Sequence, residues 1–440
     1  MNINELTTAY TESSRSMTKE DGLRGKTILL VNPGSARKIF ILERLKALGL
    51  VIVCLHKEKT ALAEPYVDYW ITGDLKNFDE CIRRIQSFNE QHKTVSIDGV
   101  VTFWDECTLL TARIAEEFQF VSIPLAVAEK IKNKYLFRDS CKHFGIPSPR
   151  HQLISRPEEF TDVDAAWRFP LVIKPVYGAS SAFVVKVENK DELEKAFVSI
   201  KDNIHSYELA PEWKTWEVFV EEYIGGDEVD IDLLLQDGAI KYSSITDNNK
   251  TNEPFFVETG ETCPSMLPVA RQRELLDMSK KTLRAFGVKN GCFHFEAKST
   301  CEGAVPIEIN MRMGGGDVYL YSREVWGVDL IENAVKIALG IPVRIEKPEQ
   351  PFAYLVALQF LPERSGVLKE LIVDERLKQK NYFVELYFQK NIGDTFLAPP
   401  DGYDSCLGWL TVKGATFEEA RKNLSEGITY VRYSMEDLPS

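Results

Sequence analysis

From residue 26 onward, short apolar runs alternate with stretches of helical period. Lys26–Val31, Leu50–Leu55, Tyr69–Thr72 and Gly99–Phe103 read as buried strands. Between them lie a helix running to Leu48, with Gly49 as its cap, and another around Phe78–Phe88. Strands alternating with helices predict a doubly wound α/β domain over residues 25–125, preceded by a polar leader at 1–24. A helix over Val127–Phe144 carries Lys132, Lys134 and Arg138 and stops at Gly145-Ile146-Pro147-Ser148-Pro149. Lysines spaced this way on a helix ordinarily form a solvated face.

Phe169–Val187 reads as strand, loop, strand: an apolar run ending at Lys174-Pro175, small residues over Tyr177–Ala182, and a second strand from Phe183. Glu217–Leu235 is a strand, a Gly-Gly break and an alternating strand that puts Glu228, Asp230 and Asp232 on one face. A polar outer face explains those acids without any ligand. Residues 255–268 read as a loop holding Glu258 and Glu261, and 271–286 as an amphipathic helix. Asp317–Leu339 is helical with Gly340 at its end. Beyond it, strands at Ala353–Phe360, Phe383–Phe388 and Cys406–Val412 and a helix at Phe417–Leu424 predict a C-terminal α+β lobe over 346–440.

The strongest pattern is Gly291–Gly316. Cys292–Lys298 and Val305–Asn310 alternate apolar and polar residues around a turn containing Gly303, as a β-hairpin does. The period of two puts His294 and Glu296 on one face, and likewise Glu308 and Asn310. If the strands pair, two carboxylates and an amide oxygen converge, followed by Arg312 and three glycines. That is the ligand set of a hard cation such as Mg²⁺ beside groups suited to anionic oxygens, although a solvated hairpin face fits the same pattern. In the Tyr177–Ala182 loop, Gly178, Ser180 and Ser181 offer N–H and hydroxyl donors to a polyphosphate and Lys174 supplies charge; an ordinary hairpin loop reads the same way. Asn32–Ser35 stands where a ligand or a simple turn would each fit.

Composition narrows the function. A chain of 440 residues suggests about three domains, and 44% hydrophobic with 27% charged residues describes a soluble globular protein. The net charge of −13 argues against a nucleic-acid partner. No apolar run is long enough to span a bilayer and MNINELTTAYTESSRSM has no signal-peptide core, so a cytoplasmic location and no membrane partner are expected. Eight cysteines without a CxxC pair read as reduced, mostly buried thiols. The first loop lacks GxGxxG, which weighs against a dinucleotide-binding dehydrogenase.

Taken in order, NKYLFRDSCKHFGIPSP, VIKPVYGASSAFVV, VEEYIGGDEVDI, HFEAK and EINMRMGGG resemble the ATP-grasp superfamily from about residue 25 to 440. GASSAFVV and the HFE strand look most like the L-amino-acid (dipeptide) ligases. The resemblance implies an ATP-grasp fold of two α+β lobes clamping ATP, over residues 126–345, with a small lobe at about 150–222 and the C-terminal lobe completing the large one. It implies a carboxylate–amine ligase that forms an acyl phosphate and then a dipeptide or similar amide from amino-acid substrates. Lys134 and Lys174 would contact ATP phosphates, Lys174 also lying near the adenine, with Gly178, Ser180 and Ser181 folding over the phosphates. Glu221 would accept from the adenine amino group, the backbone at Tyr223 and Ile224 would read the ring edge, and Glu228 would hold the ribose. Glu296, Glu308 and Asn310 would bind two Mg²⁺ ions, with Mn²⁺ as a substitute. Arg312 would stabilise the transferred phosphate and the tetrahedral intermediate, and Gly315 and Gly316 would let backbone approach a substrate carboxylate. Such ligases are often dimers, which leaves a homodimer as an expectation.

Two departures stand out. Met311 replaces a frequent Pro before Arg312. Glu261 stands near where dipeptide ligases often carry His, in a segment beside the amino-acid substrate whose Glu258 position holds the ammonium. Together Glu258 and Glu261 would favour a substrate with a basic side chain; a solvent-facing Glu261 is the other reading. A biotin-dependent carboxylase, for which no Met-Lys-Met motif is present, and a non-catalytic ATP-binding protein are the competing functions.

Overall fold

A computed structural model describes residues 22–160, 163, 167–206, 217–404 and 406–438; residues 1–21 of the expected leader lie outside the described residues. Continuous apolar runs bury both faces of the first strands, as a parallel sheet covered by helices requires. β1 (Thr27–Val31), β2 (Val51–His56), β3 (Tyr69–Thr72) and β4 (Gly99–Val101) form a parallel sheet in the order β3-β2-β1-β4. α1 (Ile39–Ala47) follows β1, with Gly49 at φ 75° just beyond its end. α2 (Phe78–Gln91) and α3 (Thr108–Phe118) complete the alternation.

The stretch read as one helix is two, α4 (Leu125–Lys132) and α5 (Lys134–His143). They part at Asn133, whose extended backbone and side chain cap α5 by accepting from Leu136 N–H. The break turns Lys132 inward. It is buried against Asp105, not on a solvated face.

Four antiparallel strands, β5 (His151–Ile154), β6 (Leu171–Pro175), β7 (Val185–Val187) and β8 (Val218–Glu222), make a small sheet in the order β5-β8-β6-β7. Its apolar side packs on the Lys190–Asn203 helix through Leu171, Ile173, Phe197 and Val220. The second strand of the loop hairpin starts at Val185, two residues later than expected, because Ser180, Ser181 and Phe183 all adopt positive φ.

The large sheet has eight strands. β9 (Asp227–Gln236), β10 (Ala239–Asn248), β11 (Gly260–Cys263), β12 (Gly291–Thr300) and β13 (Gly303–Asn310) join β14 (Tyr354–Phe360), β16 (Phe383–Phe388) and β18 (Gly408–Gly414) in the order β13-β12-β9-β10-β11-β14-β18-β16. β15 (Gly366–Val373), β17 (Thr395–Phe396) and β19 (Val431–Glu436) form a separate small sheet. Part of the segment read as a loop over 255–268 is therefore strand β11. It pairs with β14 almost a hundred residues later. The helix expected over Asp317–Leu339 is two, Val318–Trp326 and Leu330–Ala338, divided at Gly327 with φ 68°. One apolar cluster, including Leu30, Leu45, Leu234, Met313 and Val335, joins the first sheet to the large one. Among the described residues no helix is long and apolar enough to cross a membrane. Seven of the eight cysteines are buried and all are free; Cys301 is exposed.

Arg138 heads the fully buried side chains. From α5 its guanidinium meets Glu221 of β8 at 2.7 Å and donates to the carbonyls of Pro306 and Ile307 in β13, at 3.0 and 2.9 Å. One side chain thus ties the small sheet to the edge of the large one. A buried charge that loses its partner is costly, so Arg138→Met should lower unfolding free energy by about 3–5 kcal/mol in urea titration, with Arg138→Lys in between.

Candidate active site

The face of the large sheet turned toward the small lobe carries three rungs of charge. Register places His294 opposite Asn310, and Glu296 opposite Glu308. On the other side of β12, Asp232 lies beside His294, Asp230 beside Glu296 and Glu228 beside Lys298. Period two explains why these side chains share a face. Because β9 lies inside the sheet, its acids are cleft floor, which corrects the reading of a polar outer face: Asp230 and Asp232 are 8% and 2% exposed. Acids every second residue could have signalled this only if the strand's neighbours had been known.

The charges are mutually adjusted. Burial alone would strip the proton from His294, but Asp230 and Asp232 outweigh it and raise the imidazole to about 10. Its Nδ1 lies 2.9 Å from Asp232. Burial and then the facing Glu308 push Glu296 up to about 7. Glu308 goes the other way: burial opposes its charge, yet Lys134, at 2.8 Å, and Lys132 hold it below the usual range. Asn310 Nδ2 donates to Glu296 at 3.4 Å.

No group of three or more His, Cys, Asp or Glu among the described residues is arranged to hold a metal. Glu296, Glu308 and the amide oxygen of Asn310 are nevertheless an all-oxygen donor set. Two buried carboxylates opposed on one rung, one of them pushed up by burial and then by the other, suit a hard divalent cation.

A cleft of about 1120 Å³ lies over this floor. Lys174, Glu221, Tyr223 and Ile224 line it from the small sheet, with Gly178, Ser180 and Ser181 from the β6–β7 loop. Glu228, Glu296, Glu308, Asn310, Arg312 and Glu258 line it from the large sheet and its connections, and Lys134 from α5. Lys134 Nζ also donates to the Gly178 carbonyl at 2.9 Å, joining loop to floor. Glu221 is already held between Arg138 and Lys174, the latter at 2.5 Å. Burial lowers Lys174, while it opposes Glu221, whose two cations still hold the carboxylate down at about 2. Lys298, unremarked in the sequence, pairs with Glu228 at 3.2 Å.

Three expected site residues do not line that cleft: Glu261, Gly315 and Gly316. Glu261 sits on β11 opposite Ala357, and a Cβ on Gly316 would stand 3.9 Å from its Oε1. Burial, then Glu258 and Asp317, push Glu261 up to about 8. Glu258 is open to solvent at the cleft and accepts from Gln359 at 3.2 Å. Gly314 is the glycine the packing demands, because a Cβ there would fall 2.6 Å from His294 Nδ1 and 2.5 Å from Val318. Arg312 donates to the Met313 carbonyl at 2.9 Å, and its Nε is 4.0 Å from Asp105.

Two lobes facing each other across a charged cleft, the larger extended by the C-terminal strands, have the form of an ATP-grasp fold. An ATP-grasp domain matches residues 167–319 and an ATP-grasp N-terminal domain matches 42–120, so the chain carries ATP-grasp domains. Residues 358–436 match the L-amino acid ligase C-terminal domain 2. The chain is 28% identical to carnosine synthase 1 of Gallus gallus over 357 residues, which cover 78% of this chain and 38% of that protein. It therefore spans about two fifths of the length of that relative. It is 25% identical to alanine–anticapsin ligase of Bacillus amyloliquefaciens over 327 residues, 70% of this chain and 68% of that protein. An L-amino acid ligase from Bacillus licheniformis has a similar fold, with a TM-score of 0.78 and 20% identity over 94% of this chain and all of that one.

Glu261 makes stability depend on pH. The unfolded carboxyl ionises near 4.5, whereas the folded one keeps its proton to about 8, so stability falls as pH rises between those values. Glu261→Gln should therefore gain most in Tm over wild type at pH 8 and above and least at pH 4.5, in a pH series of thermal melts.

Proposed function

We propose that this chain is an ATP-dependent ligase that joins the carboxylate of one amino acid to the amine of another, releasing ADP and phosphate. The observation that carries the reading is the Glu296–Glu308 rung, with Asn310 and Arg312 beside it, lining one cleft with Lys134, Lys174 and the Gly178–Ser181 loop. Support comes also from the synthase and ligase names of the relatives and the matched C-terminal domain.

A carboxylate is a poor electrophile, so the acyl donor's oxygen attacks the γ-phosphorus of ATP and the bond to ADP breaks. The amine of the second substrate then attacks the acyl carbon, phosphate leaves, and the nitrogen loses its proton. Lys134, Lys174 and the Gly178–Ser181 backbone would hold the phosphates, and closure of that loop would keep water from the acyl phosphate. Tyr223, Ile224 and Glu228 would seat the nucleoside; Glu221, already tied to two cations, would serve chiefly to hold Lys174 in place. Glu296, Glu308 and Asn310 would hold Mg²⁺, one or two ions, with Mn²⁺ as a substitute. When bound, the metal neutralises charge on the transferring group. Arg312 would stabilise the oxyanion as the amine adds. Glu258 would meet the acyl donor's ammonium, and Glu261, outside that cleft and protonated to about 8, would favour a basic side chain only where that cation reaches it and displaces its proton.

The test is ADP release with Mg²⁺ across pairs of amino acids, with mass spectrometry of the products. ADP should form only with two amino acids present and match amide formed. Glu296→Gln should cut kcat/KM by about 100-fold or more while melting within a few degrees of wild type. ADP that requires bicarbonate, or none with any pair, contradicts the reading. A Glu261→Ala variant that ranks basic and neutral acyl donors as wild type does would remove Glu261 from selection.

A further inference from the structure

The β6–β7 loop lines the cleft through Gly178, Ser180 and Ser181, and its backbone takes a costly shape: Ser180, Ser181 and Phe183 stand at φ 53°, 52° and 62°. Residues with a Cβ keep that left-handed region only where their surroundings fix them. Two turn hydrogen bonds do part of this, Ala182 N–H to the Ala179 carbonyl and Val184 N–H to the Ser181 carbonyl, each at 3.1 Å. Phe183 adds a tertiary anchor. It is buried, and its ring centroid lies 4.2 Å from that of Tyr403, the planes inclined at 49°. Tyr403 belongs to the C-terminal lobe, yet it packs on the apolar cluster of the small lobe that contains Phe160, Phe183 and Phe197.

The segment that presents Tyr403 is closed on itself. Asp404 Oδ2 accepts from Leu397 N–H at 2.8 Å, and its Oδ1 pairs with Lys390 at 2.9 Å. Ser365 Oγ accepts from Ala398 N–H at 3.0 Å and donates to Asp401 at 2.8 Å. A Cβ on Gly402 would fall 2.4 Å from the Leu397 Cβ, so the two ends of the segment touch. Phe396, buried in the core of the C-terminal lobe, roots it. Between this segment, the β6–β7 loop and Phe255–Glu258 lies a crevice of about 490 Å³, lined by Tyr403, Pro399, Ser180 and Ser181 among others. Ser180, Ser181, Phe256 and Glu258 line the large cleft as well, so crevice and cleft adjoin beside Glu258.

We infer that Tyr403 is a positioning residue: from the C-terminal lobe it holds the β6–β7 loop over the cleft, so that the acyl phosphate meets the amine and not water. The inference rests on the ligase reading for its chemistry and on the ring contact for its geometry. Water and amine compete for the same acyl carbon. When water adds, its oxygen bonds to that carbon, phosphate leaves, protons pass to solvent, and the acyl donor's carboxylate is regenerated. ATP is then hydrolysed with no amide formed, which a covered site prevents. Removing the Tyr403 ring takes away the anchor of Phe183 and widens the crevice beside Glu258, where the acyl donor would sit. The C-terminal lobe thereby acts on the outcome of the reaction without touching either substrate.

The experiment uses the full chain and three variants, Tyr403→Ala, Tyr403→Phe and Val431→Ala. The last thins the C-terminal core away from the loop and controls for lost stability. Hydrogen exchange read by mass spectrometry over residues 178–184 reports on the loop without substrates. ADP and amide are counted in the same reactions for the best pair of amino acids. Tyr403→Ala should exchange about tenfold or more faster over that stretch. It should also release about three or more ADP per amide, where wild type releases about one. Tyr403→Phe and Val431→Ala should match wild type in both. Unchanged exchange in Tyr403→Ala, or an equal rise in Val431→Ala, overturns the inference. Faster exchange with ADP and amide still equal overturns the positioning role and leaves a packing contact. If no pair yields amide in wild type, the ligase reading fails by itself, and calorimetry with Mg²⁺ decides what the contact serves. Tyr403→Ala should then weaken a non-hydrolysable ATP analogue about tenfold and ADP less than about twofold, and an equal effect on both overturns the assignment.

Discussion

Two carboxylates facing each other on one rung of a hairpin cannot both stay ionised in a buried cleft unless cations surround them. Much of the structure around Glu296 and Glu308 answers that constraint. Lys134 arrives from the start of α5, at a helix break that also sends Lys132 inward. His294 is held positive by Asp230 and Asp232 one strand away. Glu308 is held below the usual carboxylate range, while burial and then Glu308 opposite push Glu296 up to about 7.

The same economy joins the lobes. Arg138 runs from α5 to Glu221 on the small sheet and to the backbone of β13, so the wall and the floor share one buried guanidinium. Lys174 completes that cluster, which fixes its ammonium at the mouth of the β6–β7 loop. The Lys134 contact to the Gly178 carbonyl reaches the loop itself.

The hairpin was legible because strand period is local: alternation alone set His294, Glu296, Glu308 and Asn310 on one face, and the pairing follows. The acids of β9 carry the same alternation, yet whether the face they occupy is solvent or cleft is a property of the neighbouring strands. Strand β11 was hidden for a related reason. Four residues among turn-formers gain their strand character from β14, which no local pattern reveals. Arg138 looked like one more helical cation, since burial of a charge depends on the partner that Glu221 provides from another element. Motif order carried what period could not: it connected the loop, the hairpin and the Glu221–Glu228 segment before any distance was known.

The central claim is that the cleft activates a carboxylate by phosphorylating it. An acyl-donor amino acid labelled with oxygen-18 in its carboxylate tests this directly, with the released phosphate examined by mass spectrometry. The account predicts one labelled oxygen in each phosphate formed during amide synthesis, with ADP as the nucleotide product. Unlabelled phosphate, or AMP in place of ADP, would contradict it.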